Sequence, residues 1–235
     1  ILTFLVAGFV KGFLGIGLPA AAMALMTLVM EPKAAISLLF IPIFFTNIAQ
    51  YSRANEPIKI AKKYKYFALA MMISIFFTAT FIKSYPTSFL TISIGVAMII
   101  FSIQSLFNIK IPVKENFFWH VSFGSLSGVL GGLSTIWSPF IAMYLVARDY
   151  SREDFIGISG FLFLAGSIPL GLGLYVAGVV NLSSSLQSII GLVFVMVGFR
   201  TGEITRRKVS PDFFRKILLF AFLIMGLRLI LINVF

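Results

Sequence analysis

The chain contains no cysteine and one histidine, His120, so disulfides, thiolate nucleophiles and thiolate metal sites are absent, and no imidazole cluster can form. Charge is equally scarce. Only 11% of the 235 residues are Asp, Glu, Lys or Arg, against roughly 25% in an average soluble domain. Too little polar surface exists to cover a globule in water. All eight carboxylates fall between or at the ends of apolar segments, so none is available at mid-membrane for proton transfer of the usual kind. An enzyme would need a nucleophile, an acid–base pair or a metal cluster; these absences argue against one, and no cofactor or metal is expected.

What remains is apolar. Hydrophobic residues make up 59%, aromatics 15% with 27 Phe, and the mean hydropathy is +1.03. These values place the chain in a lipid bilayer as an all-α polytopic membrane protein. The net charge of +11 does not mark a nucleic-acid partner, because the basic residues sit in short gaps between long apolar runs. That is the pattern of the positive-inside rule.

A spanning helix needs about 20 apolar residues at 1.5 Å each. Six segments meet this as ordinary spans: 34–51, 64–82, 87–107, 154–177, 182–199 and 213–235. Two more, 1–30 and 117–147, are too long for one straight crossing, at roughly 45 Å each. Both carry glycines at their middle, Gly12, Gly15 and Gly17 in the first and Gly128, Gly131 and Gly132 in the second. Glycine weakens a helix interior by about 0.5–1 kcal/mol relative to Ala. Each stretch therefore reads as a broken, re-entrant hairpin whose second half starts near Gly17 to Pro19 or near Gly132 to Ser134.

Loop charge supports this for the second stretch. If 117–147 turns back, fifteen of the nineteen Lys and Arg residues fall on one side, including Arg53, Lys59, Lys62, Lys63, Lys65, Lys110, Arg152, Arg207 and Lys208. Only Lys33 and Lys83 then lie opposite, while Lys11 and Arg228 sit inside apolar segments. For the first stretch the charges do not discriminate, but an internal repeat does. Displacement by 116 residues places Gly8, Gly12 and Gly15 on Gly124, Gly128 and Gly131. The halves 1–107 and 117–235 then read as inverted-topology repeats within a single integral membrane domain, an arrangement found in secondary transporters.

The segments GFVKGFLGIGLPAAA (8–22), IPIFFTNIAQ (41–50) and GSLSGVLGGLSTIWSPFIAMYL (124–145) resemble the sulfite exporter TauE/SafE family, also called the toluene sulfonate uptake permease family. The likeness covers nearly the whole chain and its eight hydrophobic segments. It implies transport of sulfur-containing anions such as sulfite, sulfoacetate or other organosulfonates across the bacterial inner membrane. Pro139 lies four residues later relative to the glycines than Pro19 does, so the two tips do not align beyond the glycines.

An oxyanion suits the free N–H groups at half-helix N-termini. Candidate binding residues are Gly15, Gly17 and Pro19 at the first tip, and Gly131, Gly132, Ser134, Thr135, Trp137 and Ser138 at the second. The glycines fit close helix packing equally well. Lys11 is the sharpest candidate, a cation deep in an apolar stretch and suited to be the counter-charge of an anion. Arg228 lies near an end of its segment, where snorkelling is the alternative. Asn47 and Gln50, three residues apart, share one helix face and match amides of the family; interhelical hydrogen bonding is their other reading. His120 reads as an interfacial aromatic. The expected partners are a small anion and the lipid bilayer, and the aromatic outer faces suit a monomer or a homodimer. An anion channel, or a carrier of another carboxylate or inorganic anion, stays open as an alternative.

Overall fold

The computed structural model describes residues 1–109, 111–206 and 211–234, without the side chains of 152, 211–214 and 234. Lys110, Arg207, Lys208 and the Arg152 side chain, all counted in the charge pattern, lie outside the described residues. Ten helices form, and among the described residues there is no strand. The first long stretch is two helices, α1 (Leu2–Leu14) and α2 (Leu18–Met26), followed by α3 (Pro32–Tyr51), α4 (Pro57–Thr80) and α5 (Thr87–Phe107). The second is α6 (Phe117–Ser134) and α7 (Ser138–Val146), followed by α8 (Arg152–Val176), α9 (Leu182–Arg206) and α10 (Pro211–Val234).

Five helices, α3, α5, α8, α9 and α10, are long and apolar enough to cross a membrane over most of their length. Helix α4 is as long, but it starts at Pro57 rather than near Tyr64, and its first turns carry Lys59, Lys62, Lys63 and Lys65. A proline in the first turn lacks only an N–H that would be unpaired there. The basic turns thus add helix outside the apolar part. For the same reason α9 continues past Phe199 to Arg206.

The two halves are interleaved. Helix α1 runs alongside α9 in the same direction, with Gly8 against the Val195 carbonyl and Gly12 against that of Phe199. Likewise α6 runs alongside α4, with Gly124 against the Phe67 carbonyl and Gly128 against that of Met71. Because α4 leaves the basic end of the bundle and α9 approaches it, the two hairpins enter from opposite ends. Helices α3 and α8 pack on each other between these pairs, and α5 packs on α10.

Pro42 has a structural consequence. Lacking an N–H, it leaves the Leu38 carbonyl without its helical donor. Ser188 of α9 donates to that oxygen at 2.7 Å, tying α3 to α9 near the Lys33 and Lys83 end.

Candidate functional site

The two hairpin tips share a left-handed residue at the end of the first helix and a proline in the first turn of the second, but differ at the residue before that turn, left-handed at Gly17 and right-handed at Trp137. Helix α1 ends where Gly15 turns left-handed (φ 84), its N–H bonded to the Lys11 carbonyl at 2.7 Å. Gly17 is left-handed as well (φ 96), and Pro19 sits in the first turn of α2. A residue with a Cβ pays about 1–2 kcal/mol in this region, and glycine does not. Helix α6 ends in the same way at Thr135 (φ 62), whose N–H bonds the Gly131 carbonyl at 2.7 Å, and Pro139 sits in the first turn of α7.

The second break therefore falls at Thr135 to Trp137, not at the Gly132 to Ser134 start expected from the glycines. A displacement of 120, four more than the glycine repeat, superposes Gly15 on Thr135 and Pro19 on Pro139. Gly128, Gly131 and Gly132 are interior to α6, and close packing explains them. A Cβ on Gly128 would stand 2.5 Å from the Met71 carbonyl oxygen, and one on Gly132 would stand 2.8 Å from the Thr78 Cβ. Gly131 makes room for Trp137, whose ring atom Cε3 would be 2.7 Å from an added Cβ. Ser134 points back into its own hairpin, donating to the Leu130 carbonyl at 2.6 Å and accepting from the Ile136 N–H at 3.0 Å.

Between the tips lies a small cavity of about 10 Å³, room for about one water. Lys11, Gly17, Pro19, Asn47, Thr135, Trp137 and Ser138 all line it. Lys11 is 3% exposed, and its Nζ donates to Thr46 Oγ1 at 3.1 Å and to Asn47 Oδ1. The Phe163 ring, halfway along α8, stands 6.0 Å from Nζ. Among the described residues no carboxylate pairs with this ammonium. Neither α2 nor α7 has a side-chain cap, so the positive ends of both half-helices open on the cavity.

Gln50 and Gly15 belong to a neighbouring vestibule of about 400 Å³, which also reaches Lys11 and opens at the basic end past Arg53, Glu203 and Arg206. Gln50 Nε2 bonds α8 through the Ile156 carbonyl (2.8 Å) and Ser159 Oγ (3.2 Å), while its buried Oε1 has no partner. Arg53 and Arg200 both pair with Glu203 at the mouth.

Two expectations do not join this cluster. Arg228 is exposed on α10, away from both cavities. His120, in the first turn of α6, is buried among aromatic rings at the basic end; its ring lies 5.6 Å from Tyr64 and 5.5 Å from Tyr144, and among the described residues its Nε2 has no hydrogen-bond partner. Thr46 and Phe163 were not singled out by sequence. Thr46 had a signal beside Asn47, since its hydroxyl also donates to the Pro42 carbonyl at 2.7 Å, one turn back. Phe163, one of 27 Phe residues, had none.

A buried lysine with no carboxylate paired to it among the described residues, and two helix N-termini beside the same cavity, make an arrangement able to hold a small anion. No curated protein and no solved structure gives a significant match. The family model of the sulfite exporter TauE/SafE, in contrast, matches residues 1–229, and the chain therefore belongs to this family of membrane transporters.

Proposed function

We propose that the chain exports sulfur oxyanions, namely sulfite, sulfoacetate or other organosulfonates, through the bacterial inner membrane by alternating access. The carrying observation is Lys11, a buried lysine whose hydrogen-bond partners among the described residues are the neutral groups of Thr46 and Asn47. An isolated charge in such a place is costly, and an arriving anion compensates it. The first turns of α2 and α7, with Gly17, Pro19, Thr135, Trp137 and Ser138, would hold the oxygens, while Gln50 and Gly15 line the approach. Gly131 and Gly132 act through packing, by seating Trp137 and α6. Arg228 takes no part.

The halves 1–107 and 117–235 act as inverted repeats in this reading. Its support is the matched pairing of α1 with α9 and α6 with α4, together with the oppositely directed hairpins. With the basic end inside, the open vestibule faces the cytoplasm and the Ser188 to Leu38 bond closes the other end. The inside-negative potential supplies about 2.3 kcal/mol per charge per 100 mV in favour of anion export, so no coupling ion is required. The site is complete within one chain, so no second copy is needed.

The test is efflux of [35S]sulfite from proteoliposomes under an imposed potential, comparing native protein with Lys11→Gln. Saturable efflux that the substitution abolishes, in a protein that still melts cooperatively, supports the reading. Native rates in Lys11→Gln would overturn it, and single-channel currents would favour a pore instead.

A further inference from the structure

The end of the bundle opposite the basic one carries a second pocket that the central site does not use. It measures about 390 Å³ and is lined by Lys33 from the first turn of α3, Lys83 from the loop after α4, and Ser183, Ser184 and Gln187 from the start of α9. Both lysines lie between apolar segments at this end, and both line one pocket. Lys33 is half-buried and Lys83 is exposed, at an open surface pocket. Lys33 Nζ donates to the Lys83 carbonyl at 3.2 Å, and Lys83 Nζ approaches Gly178, where an added Cβ would lie 3.1 Å from it.

Among the described residues no carboxylate lines this pocket, and Glu31, two residues before Lys33, is outside its lining. Two like charges held around a common space raise its potential, and an anion relieves their repulsion. Asn181 and Ser184 cap the start of α9 reciprocally, at 2.9 Å each way, so the charge of the pocket comes from the lysines. Ser37 and Leu38 of α3 and Gln187 of α9 line it, next to the Ser188 to Leu38 bond that ties these two helices. The vestibule at the basic end is lined by the same two helices, through Gln50 of α3 and Phe199 of α9.

We infer that the Lys33 and Lys83 pocket is a second binding station for the transported oxyanion, at the mouth opposite the open vestibule. The inference rests on the transport reading above. It assigns these lysines the capture or release of the anion on that face, with Lys11 reserved for the central step.

The test is [35S]sulfite exchange measured from each face, in intact cells and in inverted vesicles of a host without its own sulfite carriers. Lys33→Gln combined with Lys83→Gln should raise the half-saturating concentration on the Lys33 face about threefold or more at low salt. The difference should shrink in about 1 M salt, where the screening length falls to about 3 Å. Half-saturation on the other face should stay native, and Lys33→Arg with Lys83→Arg should restore the first. Lys83→Gln alone removes one charge and no hydrogen bond among the described residues, which keeps the test usable if the double variant does not fold. Unchanged half-saturation, equal change on both faces, or no rescue by arginine overturns the inference. If Lys11→Gln abolishes exchange on both faces while the lysine pair changes nothing, only the outer station falls. Native exchange in Lys11→Gln removes the central reading itself.

Discussion

Replacing Gly12 by Ala sets two effects of opposite sign against each other. Helix propensity favours Ala over Gly by about 1 kcal/mol in a helix interior. The neighbouring helix opposes it. A Cβ on Gly12 would penetrate the Phe199 carbonyl oxygen and stand 2.8 Å from the Phe199 carbonyl carbon and 3.0 Å from the Glu203 nitrogen. All three are backbone atoms of α9, so no rotamer change can relieve the clash. The helices must part by about 1 Å, which forfeits a quarter to a half of each contact well along the seam. Overpacking of this kind costs about 3 kcal/mol, leaving a net loss of about 2 kcal/mol after the propensity gain. For a chain of this size that lowers the melting temperature by about 4–8 °C. Gly157→Ala is the control, since its Cβ would meet the Ala54 Cβ at 3.2 Å and the Ile60 Cδ1 at 3.3 Å, with the nearest backbone atom, the Ala54 Cα, at an ordinary 3.7 Å; its change should stay within about 1 kcal/mol. Thermal unfolding of the two purified variants in detergent reads the difference. Lys11 precedes Gly12 on the same helix, so on the proposed function a shift of α1 by about 1 Å should also slow transport by about 10²-fold. A Gly12→Ala protein that melts at or above the native temperature would refute the packing argument.

Three further outcomes are expected. Gly17→Val should destabilise by about 2 kcal/mol, because its φ of 96 excludes a β-branched residue, whereas Thr135→Gly should remain within about 1 kcal/mol of native, since relief at φ 62 offsets the entropy of Gly; thermal melts compare them. Ser188→Ala should cost about 1–2 kcal/mol by leaving the Leu38 carbonyl with neither its helical nor its lateral donor, and labelling of a cysteine introduced at Ser37 should become faster as the seam loosens. Arg53 is 54% exposed, so a double-mutant cycle of Arg53→Gln and Glu203→Gln should give a coupling under about 1 kcal/mol despite their contact; a larger value would make that pair a true latch.

The sequence read most accurately where one quantity was enough. Stretches 1–30 and 117–147 exceed the length of a straight crossing, and both are two helices in the structure. Lys11 and Asn47 stand out separately in the sequence as polar residues in apolar segments, and the structure joins them by a hydrogen bond. The second tip was misplaced because glycine carries two meanings. At Gly15 and Gly17 it permits a left-handed turn; at Gly128 and Gly132 it admits another helix, and only the partner surface distinguishes these. Thr135, left-handed with a β-branched side chain, gives no sequence signal of a break.

Composition and segment length by themselves determined that this chain is a helical membrane protein with two interrupted segments, because exclusion of charge from lipid and the rise of a helix are local rules. Tertiary structure alone decided that Lys11 faces Thr46, Asn47 and the two tips, and that Arg228 does not join them. It also brought Lys33 and Lys83 to one pocket. The direction of a side chain depends on which helix packs beside it, and that is set by surfaces distant in the chain.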